Sequence, residues 1–278
     1  MGIIMSGKEI ANEIKEEIKS YVNTTKKTLN KSPKIVSILV GNDGGSIYYQ
    51  NFQQRLAEQL NIDFEKIILN ETILEEDLIS LIKKLNFDKN IDGIILLLPL
   101  PKHINEKIIT NIISVEKDID CLSEASVGRF YKGEKSFLPC TPNSVITLLK
   151  AYKVPLEGAN VVIVGRSNIV GKPLFQMFLN ENSTVTICHS KTKNLKKITQ
   201  TADILVLAIG KPKFIDGEYI KEGAVIIDVG TSNVNGKITG DVDFEDVIEK
   251  AAMVTPVPGG VGALTTTLLF KNACEGLK

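Results

Sequence analysis

Short apolar runs alternate with stretches of helical spacing along nearly the whole chain, and no other feature limits the fold as strongly. Lys34-Ile35-Val36-Ser37-Ile38-Leu39-Val40 reads as a strand ending at Gly41, and Phe64 to Leu69 reads as the next. Asp92 to Leu98 is a buried strand stopped by Pro99-Leu100-Pro101. Residues 160–164, 184–188, 204–208 and 225–229 continue the series. Between them lie helical stretches: Ile10, Ile14 and Ile18 recur among Lys and Glu, a helix capped by Ser46 runs to about Leu60, and another spans Glu75 to Leu85. Thr141 reads as the cap, and Pro142 as the first residue, of a helix reaching Lys150. Strand and helix in alternation give a parallel sheet covered on both faces, so the fold class is α/β. The length of 278 residues allows two domains. Weak periodicity from Glu116 to Ser136 marks a candidate hinge.

Composition removes other classes. Lys plus Arg and Asp plus Glu are equal at 33 each, and a zero balance argues against a nucleic-acid partner. No apolar run approaches the ~20 residues of a membrane helix, and no signal pattern opens the chain. Two histidines leave no His-rich metal site, and no metal is expected. Cys121, Cys140, Cys188 and Cys274 form no Cys-x-x-Cys pair, as expected of reduced thiols in a cytoplasmic protein.

The strongest local signal runs from Val162 to Pro173: apolar strand, Gly165-Arg166-Ser167-Asn168-Ile169-Val170-Gly171, then a helix start. Such a turn aims backbone N–H groups and a helix N-terminus at a phosphate, although Ser167 stands where the second glycine of G-x-G-x-x-G would be. A plain structural turn is the alternative. The next strand ends Cys188-His189-Ser190-Lys191-Thr192, with no carboxylate for a ribose 2′-hydroxyl. A hydroxyl, a lysine and Arg166 suit a 2′-phosphate, which favours NADP over NAD. Ordinary solvated charges would look the same.

Tyr49, Asp120 and the loop Thr255-Pro256-Val257-Pro258-Gly259-Gly260-Val261-Gly262 are polar or flexible features at element ends. Together with Asp92-Gly93 through Pro101, Lys117-Asp118-Ile119-Asp120, Pro139-Cys140-Thr141-Pro142, the Gly165 turn and Gly240-Asp241-Val242, they make the chain resemble the FolD family over essentially its full length. These are the methylenetetrahydrofolate dehydrogenase/methenyltetrahydrofolate cyclohydrolases.

The resemblance implies an amino-terminal folate domain, residues 1–138, completed by a returning segment 258–278. It implies a Rossmann-type NADP-binding domain at 139–257, with folate bound in a cleft between the two. Tyr49, Leu98, Pro99, Asp120, Pro258, Gly259 and Gly260 are then the expected folate contacts. Gly165, Arg166, Ser167, Ser190 and Thr231 are the expected cofactor contacts. Tetrahydrofolate derivatives are the implied partners, and a homodimer the implied assembly.

Two departures stand out. Gln53 occupies the position of a family lysine one helical turn after Tyr49, and Leu97 that of a family glutamine. Both belong to the cluster serving the cyclohydrolase step, and a glutamine amide does not titrate. The expectation is a working NADP-dependent dehydrogenase with weak or absent cyclohydrolase activity. The alternatives are a fully bifunctional enzyme, a non-catalytic nucleotide or folate sensor, and another NADP dehydrogenase such as a shikimate-type one. A further departure puts Cys121 where the family has glycine.

Overall fold

The structure, a computed structural model, describes residues 1–276. In chain order its first elements are β1 (Ile3–Ile4), α1 (Gly7–Leu29), β2 (Lys34–Val40), α2 (Gly44–Leu60), β3 (Asp63–Leu69), α3 (Glu75–Phe87) and β4 (Gly93–Leu96). Next come α4 (Glu106–Ile112), α5 (Glu124–Lys132), α6 (Cys140–Ala151), β5 (Asn160–Val164), α7 (Gly171–Asn180) and β6 (Thr184–Cys188). The rest are α8 (Leu195–Thr199), β7 (Ile204–Leu207), β8 (Val225–Asp228), β9 (Ser232–Val234), β10 (Lys237–Thr239), α9 (Phe244–Val247), β11 (Met253–Val254) and α10 (Gly262–Glu275). Among the described residues no helix is long and apolar enough to cross a membrane.

Two compact units result. One comprises 13–138 with the segment from 266 onward; the other comprises 1–12 and 139–265. The expected division at 138/139 coincides with a change of unit, but the two ends of the chain differ from expectation. β1 pairs in parallel with β11, so the first residues belong to the unit of 139–265. The returning segment begins at Thr266 rather than at 258, which leaves Pro258, Gly259 and Gly260 with that same unit.

The unit of 13–138 holds a three-stranded parallel sheet, β3-β2-β4. Val36, Ile38 and Val40 alternate onto one face and pack with Leu78, Ile82 and Ile94. Ser37 and Leu39 point to the opposite face, and both are buried. Helix α1 buries Ile14, Ile18 and Val22, each side chain contributing about 1.5–3 kcal/mol. Asp43, not Ser46, caps α2: its carboxylate accepts from Ser46 N at 2.8 Å. Asn61 closes α2 in the left-handed conformation, φ +58°.

The expected hinge is not irregular chain. It contains α5, capped by Ser123, of which only Ser126 and Phe130 are buried, too sparse a stripe to read as periodicity. Helix α6 likewise begins one residue early, at Cys140 behind Pro139 rather than behind Thr141.

The other unit holds a six-stranded sheet in the order β1-β11-β8-β7-β5-β6, parallel throughout. β5 is flanked by β6 on one side and β7 on the other, so the strand order reverses there. In open α/β sheets the crevice at such a reversal is where nucleotides bind.

Candidate active-site residues in the two units

In the unit of 139–265, the β5 turn is built by contact. Gly165 has φ +136°, and a Cβ there would collide with the Ala208 carbonyl beyond β7. A Cβ on Gly171 would strike the Gly165 carbonyl, so α7 starts hard against the turn. The register pairs Val164 with Cys188, and Gly165 N donates to Cys188 O at 2.9 Å. Arg166 and Ser190 therefore stand two residues beyond paired positions on adjacent strands, and both are exposed. Ser167 Oγ accepts from Val170 N at 3.1 Å and Gly171 N at 3.4 Å, a cap that α7 otherwise lacks. Its proton remains to be donated outward. Thr231, also exposed, follows β8 at the same edge of the sheet.

Sequence reasoning missed the support beneath this edge. Asp228, at the end of β8, and Asp241 are both buried. Burial pushes the Asp228 carboxyl up to about 6, against the pull of N–H bonds from Asp241 and Val242. Asp228 N donates to Thr255 Oγ1 at 2.7 Å, tying β8 to the loop that carries Pro258 and Gly259. Val257-Pro258 is a cis peptide, and Gly259 O accepts from Gly7 N at 2.9 Å. The signal lay in Gly240-Asp241-Val242, a motif noted only as a likeness.

In the unit of 13–138, Tyr49 lies half-buried on the first turns of α2, where Thr266 Oγ1 of α10 donates to its hydroxyl at 3.3 Å. Asn272, on the same helix, donates to Ile119 O at 2.9 Å and Leu138 O at 3.2 Å, fixing the backbone just before Asp120. Asp118 is buried and accepts from Leu122 N and Ser123 N, while Lys117 Nζ donates to Leu85 O and Asp88 O. Those two residues of the Lys-Asp-Ile-Asp motif therefore brace the turn, and half-buried Asp120 is the carboxylate they place. Ile119 fills the space a side chain on Gly93 would need, which accounts for Asp92-Gly93. Cys121 holds φ +56°, the conformation that makes glycine the easier residue at this position.

Gln53 is wholly buried. Ser37 Oγ donates to its Oε1 at 3.1 Å and accepts from Gln50 Nε2 at 3.3 Å. Gln53 Nε2 has no hydrogen-bond partner among the described residues. Leu97, buried as well, donates its N–H to Ile38 O at 2.9 Å. It lies two residues past Ile95, the register partner of Ser37, so it shares the sheet face on which Gln53 packs. The structure thus brings Gln53 and Leu97 to one face. Pro99 instead borders an open groove of ≈ 720 Å³ with Gly41, Asp43, Glu71 and His103, at the ends of β2, β3 and β4. Leu98, joined to Pro99 by a cis peptide, is partly buried.

Comparison with known proteins agrees with this layout. Residues 5–120 match the catalytic domain of tetrahydrofolate dehydrogenase/cyclohydrolase, and residues 139–278 match its NAD(P)-binding domain. The bifunctional protein FolD of Clostridium perfringens (strain SM101 / Type A) is 68% identical over 100% of both chains. A crystal structure of the bifunctional FolD of Campylobacter jejuni is 40% identical, with a TM-score of 0.96 over 99% of this chain and 98% of that one. FolD from Trypanosoma brucei, solved with NADP cofactor and inhibitor, is 33% identical, with a TM-score of 0.92 over 98% and 96%. On the two domain matches and these identities, the chain belongs to the tetrahydrofolate dehydrogenase/cyclohydrolase family.

Proposed function

We propose that this protein oxidises 5,10-methylenetetrahydrofolate to 5,10-methenyltetrahydrofolate with NADP. The observation that carries the cofactor half is the Gly165 turn, pressed against Ala208 where the strand order reverses. Its residues fit a dinucleotide: no Cβ intrudes, the N-terminus of α7 faces the turn, and Ser167 has a proton to donate. Arg166 and Ser190 take the 2′-phosphate, the guanidinium by charge-assisted hydrogen bonds. NADP supplies the hydride acceptor. Thr231 contributes a hydroxyl at the edge of the same site.

On the folate side, Tyr49 packs against the ring system and Asp120 accepts N–H bonds from the pterin. Each such bond to a charged group is worth roughly 1.5–3 kcal/mol. Leu98, Pro99, Pro258, Gly259 and Gly260 line the remainder. Hydride transfer asks these residues chiefly to hold two carbons in register. A homodimer formed through the unit of 139–265, in the cytoplasm, completes the reading.

For the family's second step, hydrolytic opening of the methenyl ring, the names of the relatives support a chain that performs both reactions. One observation favours a narrower second reading, a dehydrogenase with weak ring opening. Gln53 and Leu97 offer no titrating group, and a missing acid or base costs on the order of 10²–10⁴ in rate. Both activities measured on one preparation decide the matter. NADPH formation from methylenetetrahydrofolate tests the dehydrogenase, and its absence would overturn the proposal. Hydrolysis of methenyltetrahydrofolate well above the uncatalysed rate supports the bifunctional reading; hydrolysis at that rate supports the narrower one.

A further inference from the structure

The buried carboxylates under the sheet edge set the polarity of a loop. Asp241 Oδ2 accepts from Ile209 N at 2.7 Å and Gly210 N at 3.2 Å, and Oδ1 accepts from Lys211 N at 2.6 Å. Asp228 stands behind it, accepting from Gly230 N at 2.9 Å, Asp241 N at 3.0 Å and Val242 N at 2.9 Å. A Cβ on Gly230 would run into the Asp241 carboxylate, and one on Gly240 into that of Asp228. The backbone has been brought as close to these two side chains as glycine allows.

Three successive N–H groups turned inward have a necessary counterpart. In a planar trans peptide the C=O points opposite to the N–H, so the carbonyls of Ala208, Ile209 and Gly210 face away from Asp241. The Ala208 carbonyl is the one that a Cβ on Gly165 would strike, which places this outward side at the crevice beside β5. Gly210 is exposed, with φ +64° and open space where a Cβ would project. The loop after β7 therefore shows the crevice a row of acceptors, with its donors withdrawn. Such an edge repels phosphate and suits hydroxyl or amide N–H groups.

We propose that Asp241 is a positioning residue for the cofactor. By drawing in the N–H groups of 209–211 it presents their carbonyl edge to the ribose hydroxyls and carboxamide of the nicotinamide half. Asp228 fixes Asp241 through its backbone N–H. The inference rests on the NADP reading given above and adds the division of labour within that site: Arg166 and Ser190 hold the phosphorylated half, and the Asp241 loop holds the other.

The test compares NADP with adenosine 2′,5′-bisphosphate, which lacks the nicotinamide half, by calorimetry on the full chain. Wild-type protein is expected to bind both. Asp241→Asn is expected to weaken NADP by about tenfold, the scale on which small misplacements act, and to leave the fragment unchanged. The KM for NADP should rise while that for the folate stays fixed. Parallel loss of both ligands, or no loss of either, overturns the proposal. If Asp241→Asn does not fold, Gly210→Ala provides the same reading, because it strains the loop and leaves the carboxylate intact. A wild-type chain that binds neither ligand overturns the cofactor reading itself, and this proposal with it.

Discussion

The Ser37 hydroxyl donates to Gln53 Oε1 over 3.1 Å, at a point where neither residue reaches solvent. That bond turns the other end of the amide, Nε2, toward surroundings that hold no acceptor for it. A buried donor left unmet costs about 1–3 kcal/mol. Leu97 is part of the reason, since it brings only hydrocarbon to the same sheet face.

Replacing both residues should therefore act on stability and on chemistry together. Gln53→Lys with Leu97→Gln introduces a titratable donor and an acceptor. Ring opening of methenyltetrahydrofolate is expected to rise at least about tenfold over wild type, a fraction of what a positioned acid or base provides. Leu97→Gln alone should be tolerated because it offers Gln53 an acceptor. Steady-state hydrolysis rates and urea unfolding of the single and double variants check both statements.

Arg166 is exposed beside Ser190, and its expected role is selective rather than structural. Arg166→Ala should lower the ratio of kcat/KM for NADP over NAD by about tenfold to a hundredfold, with the folate KM unchanged. An unchanged ratio would remove Arg166 from the 2′-phosphate.

Asp228 makes stability depend on pH in an unusual direction. Its carboxyl titrates at about 6 when folded and near 3.8 when unfolded, so the native state holds the proton more tightly. The stabilising effect is complete below about pH 3.8, declines as pH rises through 6, and is then gone. Asp241 is the neighbouring carboxylate that adds to the effect. Between pH 4 and 7, wild type should lose about 2–3 kcal/mol relative to Asp228→Asn. Urea titrations of both proteins across that range provide the measurement.

Lys153 ends α6 at φ +55°, fully outside the core, with Val154 N donating to Leu149 O at 2.9 Å. Glycine adopts that conformation without the cost, about 1–2 kcal/mol, that a side chain incurs. Lys153→Gly should raise the unfolding free energy by about 1 kcal/mol and leave the dehydrogenase rate as it was.

Much of this architecture is legible in the sequence because it is local. Alternation of strand and helix marks β2 to β8, and the Gly165 turn is a contiguous motif whose glycines answer to single carbonyls. What stayed hidden depends on distant partners. β1 is two exposed isoleucines whose only strand signal is β11, some 250 residues away. Ser37 is a lone polar residue in an apolar strand, and its meaning appears only when Gln50 and Gln53 arrive from α2. Asp228 and Asp241 look like ordinary acidic residues until six N–H groups are found converging on them. The departure at Gln53 was visible; that its amide would be sealed away and half-satisfied was not.

The pairing of β1 with β11 has a consequence for how such a protein can change over generations. Neither unit is one uninterrupted stretch of sequence, because the chain changes unit after residues 12, 138 and 265. No single crossover between genes could carry one unit away intact. A cut at 138/139 would strip the cofactor-side sheet of its outermost strand and deprive Tyr49 and Ile119 of Thr266 and Asn272. Recombination would break both halves at once, so the two are bound to be inherited as a single piece.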